Sequence, residues 1–327
     1  DVCSSDLLPL SVSGQTIDRQ CASGLMAISI AAKQIMIDGM AVTVGAGQEQ
    51  ISLVQNTHMK WTAAEADPAV IKMAEHAYMP MLQTAELVAK RYGISREAQD
   101  EFALESQKRA AAAIDRVHAR VPELLVPGAT EEAVAAELHR LILEEHRSVD
   151  FVIVGGGENG ANPHHDFSPR VLREGDPVVV DLGGTLDSGY HSDCTRTYVV
   201  GGGAGADGEF AAAFDAAFDA VHRAHEAALA AARPGMTAGE LDAVARGVIE
   251  DAGYGEYFTH RLGHGIGLAG HEAPFIIGGG ETVLREHMVF SIEPGVYLPG
   301  AFGVRIEDIV VLEADRARAL NQQPRGL

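Results

Sequence analysis

Residues 177–199 read PVVVDLGGTLDSGYHSDCTRTYV. Two β-prone arms flank a turn, GGTLDSGY, so the stretch predicts a hairpin. Each arm carries an aspartate, Asp181 and Asp193, twelve positions apart. In one regular strand an even spacing puts both on one face; across a turn, pairing of the arms has to bring them together. An ionised carboxylate in an apolar β run such as Val178 to Val180 is costly unless something pairs with it, and a cation removes that cost.

Outward from the hairpin, three more stretches repeat the theme: RLGHGIGL at 261–268 with His264, FSIEPGVY at 290–297 with Glu293, and VRIEDIVV at 304–311 with Glu307. Four carboxylates and one imidazole make a set that can hold two divalent cations, because bridging carboxylates let five side chains serve two metals about 3.5 Å apart. The chemistry this points to is metal-assisted hydrolysis. A lone Asp or Glu in a strand is usually a solvated face and a lone His beside glycine a loop residue, so the argument rests on the five together. Gly263, Gly265 and Gly267 do not make a phosphate-cradling loop, since no strand–loop–helix with a following Lys or Ser surrounds them.

These motifs, in the order Asp, Asp, His, Glu, Glu, resemble the pita-bread metallopeptidases, the family of methionine aminopeptidase, aminopeptidase P and prolidase. TRT at 195–197 and RIED at 305–308 are more similar to the Xaa-Pro-cleaving branch. The resemblance implies an α+β pita-bread fold with a curved antiparallel sheet over residues 114–327. It also implies one ion on Asp181, Asp193 and Glu307 and another on Asp193, His264, Glu293 and Glu307. Manganese or cobalt suits this carboxylate-rich set, with zinc or iron also allowed. It further implies cleavage of an N-terminal bond, most readily Xaa-Pro, by a hydroxide shared between the metals. Glu293 would move a proton to the leaving nitrogen, and His164 of NPHH, His271 of GHEAP and Arg305 would touch the substrate. His165 is the lesser of its adjacent pair, His191 and His260 read as rim or structural residues, and Cys194 as a small packing residue.

The first third reads differently. TIDRQCASGLMAISIAAKQIMIDG at 16–39, GAGQEQIS at 45–52 and the text at 84–113 resemble an internal piece of thiolase, an α/β acyltransferase, with Cys21 at the position of its acylated nucleophile. Cys21 precedes an amphipathic helical pattern, and a helix start favours a thiolate. A short strand is expected at 41–44. The family's opening strands and its later His and second Cys motifs are missing from this piece, and a nucleophile without its base is a weak catalyst, so Cys21 reads as a small buried apolar residue. Residues 8–113 are thus a truncated thiolase-like fragment, and two unrelated families meeting inside an alanine run read as a chimera. Residues 1–7, DVCSSDL, resemble a translated sequencing adapter and are expected to be an artefact. A first residue of Asp suggests that the frame began upstream.

Composition narrows the partners. A chain of 327 residues with 46% hydrophobic content can bury one large or two ordinary cores. A formal charge of −21 argues against nucleic acid and anionic membranes, both of which need a basic surface. Three cysteines without paired spacing predict a reducing compartment, taken as cytoplasm. No apolar run reaches the roughly 18 residues of a membrane span. A peptide is the expected partner, and a homodimer is compatible with the family. The competing functions are a thiolase-type acyltransferase and a pita-bread protein that binds without catalysis.

Helices are expected from Ser95 to Val121, Glu131 to His146, Gly208 to Ala232 and Ala238 to Ala252, with Ser95, Thr130 and Thr237 as caps for three of them. Strands are expected at 151–154, 288–297 and 303–313.

Overall fold

A computed structural model describes residues 12–47, 57–58, 60–61, 64–202 and 210–327. Residues 1–7, with Cys3, lie outside the described residues, as do most of the GAGQEQIS stretch and the 203–209 part of the glycine-rich loop. Two compact units divide at residue 92: Asp1–Tyr92 and Gly93–Leu327.

In the first unit the described residues form helices Ser23–Met36, Pro68–Met73 and Met81–Tyr92, with a short 3-10 turn at Gln20–Ala22. Residues 41–44 form no strand, contrary to expectation; Thr43 Oγ1 instead donates to Ala31 O at 2.9 Å. Without a neighbouring strand among the described residues of this unit, a four-residue apolar run has no ladder to join. Its valines are left open, Val42 being 80% exposed. Cys21 is likewise exposed and not the buried residue expected, because Ala31 is the only core residue among the described positions of this unit.

The second unit is built on antiparallel strands. β1 (Ser148–Gly156), β2 (Pro177–Thr185) and β3 (His191–Val199) form a three-stranded sheet in that order. A five-stranded sheet runs β10 (Ala317–Ala319), β9 (Asp308–Leu312), β6 (Val289–Ile292), β4 (Gly263–Gly265), β5 (Glu272–Ile276). A ribbon pairs β7 (Gly295–Leu298) with β8 (Phe302–Arg305). Helix Arg96–His118 begins on Ser95, whose side chain accepts from Ala98 N, and helix Glu131–Glu145 begins on Thr130. Both press Ile114, Val117, Leu138 and Ile142 onto Val152, Val180 and Leu182 of the first sheet. Helices Ala211–Ala231 and Ala238–Asp251, the latter with a full Thr237–Glu240 capping box, cover the second sheet and the ribbon through Phe214, Val221, Leu241 and Ile249.

The expected strands 288–297 and 303–313 are each broken in two. The breaks fall at Glu293–Pro294 and Ile306–Glu307. Proline has no N–H to continue a ladder. At the breaks Glu293 N bonds to Leu262 O at 2.8 Å and Glu307 N to Thr195 O at 3.0 Å. The chain thus passes from sheet to ribbon and back where its glutamates sit. On the helix Arg96–His118, Phe102 is 71% exposed: the packed part of that helix starts near Leu104.

Candidate metal centre

Pairing in the hairpin sets Gly183 opposite Asp193 and Asp181 opposite Thr195. Residues opposite one another share a face, so Asp181 and Asp193 are diagonal neighbours on one side of the sheet. Gly183 is required between them, because a Cβ there would lie 2.3 Å from the Phe151 ring.

His264 reaches the same side from β4. Its Nδ1 lies 3.0 Å from Gly265 O, which can only accept, so Nδ1 carries the proton and Nε2 offers its lone pair. That Nε2 stands 3.4 Å from Glu293 Oε1 and 3.6 Å from Asp193 Oδ2. Burial lowers the His264 pKa to about 4, which keeps the ring neutral at pH 7 as a ligand has to be.

Ligand atoms of three groups lie within 4.8 Å of one another: Asp181, Asp193, Glu307; His264, Glu293, Glu307; and Asp193, His264, His271. All five residues singled out as ligands are therefore brought together. The first group is the trio expected for one ion. His271, expected only at the substrate, also stands at ligand distance, its ring centroid 4.0 Å from that of His264.

Crowding shows in the titration of these groups. Burial, and then Glu307, Asp181 and Glu293, push Asp193 well above the usual carboxylate range. Burial, and then Glu293 and Asp181, do the same to Glu307, and burial pushes Glu293 up to about 7. Asp181 Oδ1 and Glu307 Oε1 are buried with no hydrogen-bond partner. Two orphaned oxygens among four clustered carboxylates are what a divalent-cation site needs, so the donor set fits the metals.

Around the ligands, Thr195 Oγ1 donates to Glu307 Oε2 at 2.7 Å and accepts from Arg305 Nε at 3.0 Å. Its role went unread in the sequence, although TRT had stood out as a family mark. His164 lines the cavity around these ligands, of about 680 Å³, with His260 and Arg261. His165 turns away to Glu131, 2.9 Å from its carboxylate. His260 is held by Tyr297 OH and Arg261 O, a wall residue as expected. Cys194 is fully buried. Arg305 lies in the cavity wall and is 3% exposed, its guanidinium engaged by Asp181, Tyr297, Thr195 and Pro163 O.

The profile of metallopeptidase family M24 matches residues 105–314. The chain belongs to this family. Its second unit has the pita-bread fold, and M24 membership implies divalent metal ions. A "probable dipeptidase PepE" of Mycobacterium tuberculosis is 52% identical over 71% of this chain and 60% of its own length. An "Xaa-Pro dipeptidase" of Lactobacillus delbrueckii subsp. lactis is 48% identical over 59% and 51%. The crystal structure of dipeptidase PepE from Mycobacterium ulcerans superposes with a TM-score of 0.64 at 52% identity, covering 69% of this chain and 59% of that one. The chain thus spans about half to three-fifths of the length of these M24 relatives. A thiolase N-terminal domain profile matches residues 2–125, overlapping the M24 match over 105–125. No helix among the described residues is long and apolar enough to cross a membrane.

Proposed function

We propose that this chain hydrolyses dipeptides, preferring Xaa-Pro, with two divalent cations held by Asp181, Asp193, His264, Glu293 and Glu307. The supporting observation is the convergence of three buried carboxylates, the partly buried Glu293 and a neutral imidazole, with two carboxylate oxygens lacking any partner. When bound, the cations supply an activated water and polarise the scissile carbonyl. Manganese or cobalt is the proposed pair. Glu293, partly buried and hydrogen-bonded by Ser291 Oγ at 3.1 Å, would hold the proton destined for the leaving nitrogen. His164 and His271 line the cavity and would offer donors to the carbonyl oxygen as charge develops there. The Xaa-Pro preference draws on the M24 relatives so named and on the TRT and RIED stretches.

The same reading treats residues 8–113 as a thiolase piece joined to a peptidase domain, with residues 1–7 an artefact of sequencing. Cys21 is exposed, and no hydrogen bond to its thiol is seen among the described residues that would mark an activating base. Cytoplasm remains the proposed location. The test is hydrolysis of a panel of Xaa-Pro and Xaa-Ala dipeptides by the manganese-loaded protein. Asp193→Ala is expected to reduce cleavage to background and Cys21→Ala to leave it unchanged. Undiminished cleavage by Asp193→Ala would sink the reading.

A further inference from the structure

Three guanidinium groups line the cavity around the carboxylate cluster: Arg246, Arg261 and Arg305. Two are spent on the protein. Arg246 donates to both oxygens of Asp242, at 2.8 and 3.1 Å, and to Phe258 O and His260 O, each at 3.0 Å. Arg305 is engaged by Asp181 at 2.6 Å and Tyr297 OH at 2.7 Å, with Thr195 and Pro163 taking further donors.

Arg261 has neither an ion pair nor a side-chain hydrogen bond among the described residues, and its Nε is buried without an acceptor. Its guanidinium carbon stands 5.3 Å from the centroid of the Phe275 ring, so an aromatic face braces it. A cation in a cavity otherwise rich in carboxylates would be expected to take one of them as partner, yet none pairs with Arg261: Asp181 is held by Arg305, Glu307 accepts from Thr195, and Asp193 and Glu293 face His264. It lines the same cavity as His264, His271 and Glu293. It therefore stands close to the cluster without being consumed by it.

We propose that Arg261 is the anchor for the C-terminal carboxylate of a dipeptide, and so the residue that limits the substrate to two amino acids. The proposal rests on the peptidase reading above. A guanidinium offers a carboxylate two parallel N–H donors in one plane. A longer or amidated peptide brings a neutral amide to the same point. The buried Nε–H is then left without a full charge partner, which is how a polar subsite rejects an analogue lacking its group. The role expected of Arg305 passes on this argument to Arg261.

The test uses an uncleavable Leu-Pro analogue with its scissile carbonyl reduced to methylene, as the free acid and as the C-terminal amide. Each is titrated by calorimetry into the manganese-loaded protein. The parent is expected to bind the acid roughly 100-fold more tightly than the amide, the scale for a desolvated charge pair. Arg261→Met removes that preference while leaving the amide affinity little changed, and Arg261→Lys, which keeps the charge but not the fork, falls between. Equal affinity of the parent for acid and amide, including no detectable binding of either, overturns the proposal. So does an Arg261→Met variant that weakens both alike, the mark of a merely structural role. Failure to hydrolyse Leu-Pro by a protein that still prefers the acid would sink the reaction and leave the anchor standing.

Discussion

His118 shows how far one side chain can be committed to the fold. It is fully buried, Nε2 2.9 Å from Cys194 O and Nδ1 3.0 Å from Tyr198 OH, and burial pulls its pKa down to about 3. Unfolded, a histidine takes up its proton near 6.5, so between these values the unfolded chain holds more protons and stability falls as the pH drops. The group's contribution is complete above about pH 6.5 and is lost on the way to 3, by at most about 1.4 kcal/mol per unit. His118→Gln should therefore be less stable than the parent at pH 8, with the gap narrowing at pH 5, as urea midpoints would record; an unchanged gap would place the pH dependence elsewhere. Legibility at this scale was uneven. Asp181, Asp193, His264, Glu293 and Glu307 could be read because each sits in a distinctive short stretch. The engagement of Arg305 and the freedom of Arg261 could not, since both depend on partners brought in from distant strands.

At the scale of elements, the cluster depends on chain crossings that leave no room. A Cβ on Gly263 would stand 1.9 Å from Ser291 O, so β4 and β6 approach as only glycine permits. The next residue is His264, whose N–H donates to Ser291 Oγ at 2.9 Å. Gly263→Ala should cost about 3 kcal/mol through overpacking and push His264 off the cluster. A lowered melting temperature together with weakened manganese binding would record both effects, while unchanged manganese affinity would show that β4 does not position the ligand. Helices and the hairpin were legible from caps and periodicity, with ends within a few residues. The breaks at Glu293–Pro294 and Ile306–Glu307 were not, because an unbroken apolar run carries no mark of the point where its hydrogen bonds change partner; Pro294 was the one visible sign.

For the whole molecule, the two units differ in what they bury. The three apolar clusters of the described residues draw nothing from before Leu104. In the first unit Leu25, Met36, Ile37 and Val44 are each more than 70% exposed. Apolar surface of that extent favours aggregation. Removing residues 1–92 should leave the melting temperature within about 3 °C, under about 1 kcal/mol for a domain of this size, and leave metal binding intact. A shortened chain that unfolds would show the first unit to be integral. The thiolase resemblance was legible in its motifs, whereas the failure of 41–44 to form a strand follows from partners that this piece of sequence does not supply.

The central claim is that five side chains from separate strands and turns hold two cations. It is tested most directly by titrating manganese into EDTA-treated protein and counting bound ions by elemental analysis after gel filtration. Two ions per chain, both lost in Asp193→Ala with the fold intact by circular dichroism, is the predicted result. A folded parent that retains no manganese, or an Asp193→Ala variant that still holds two ions, would contradict it.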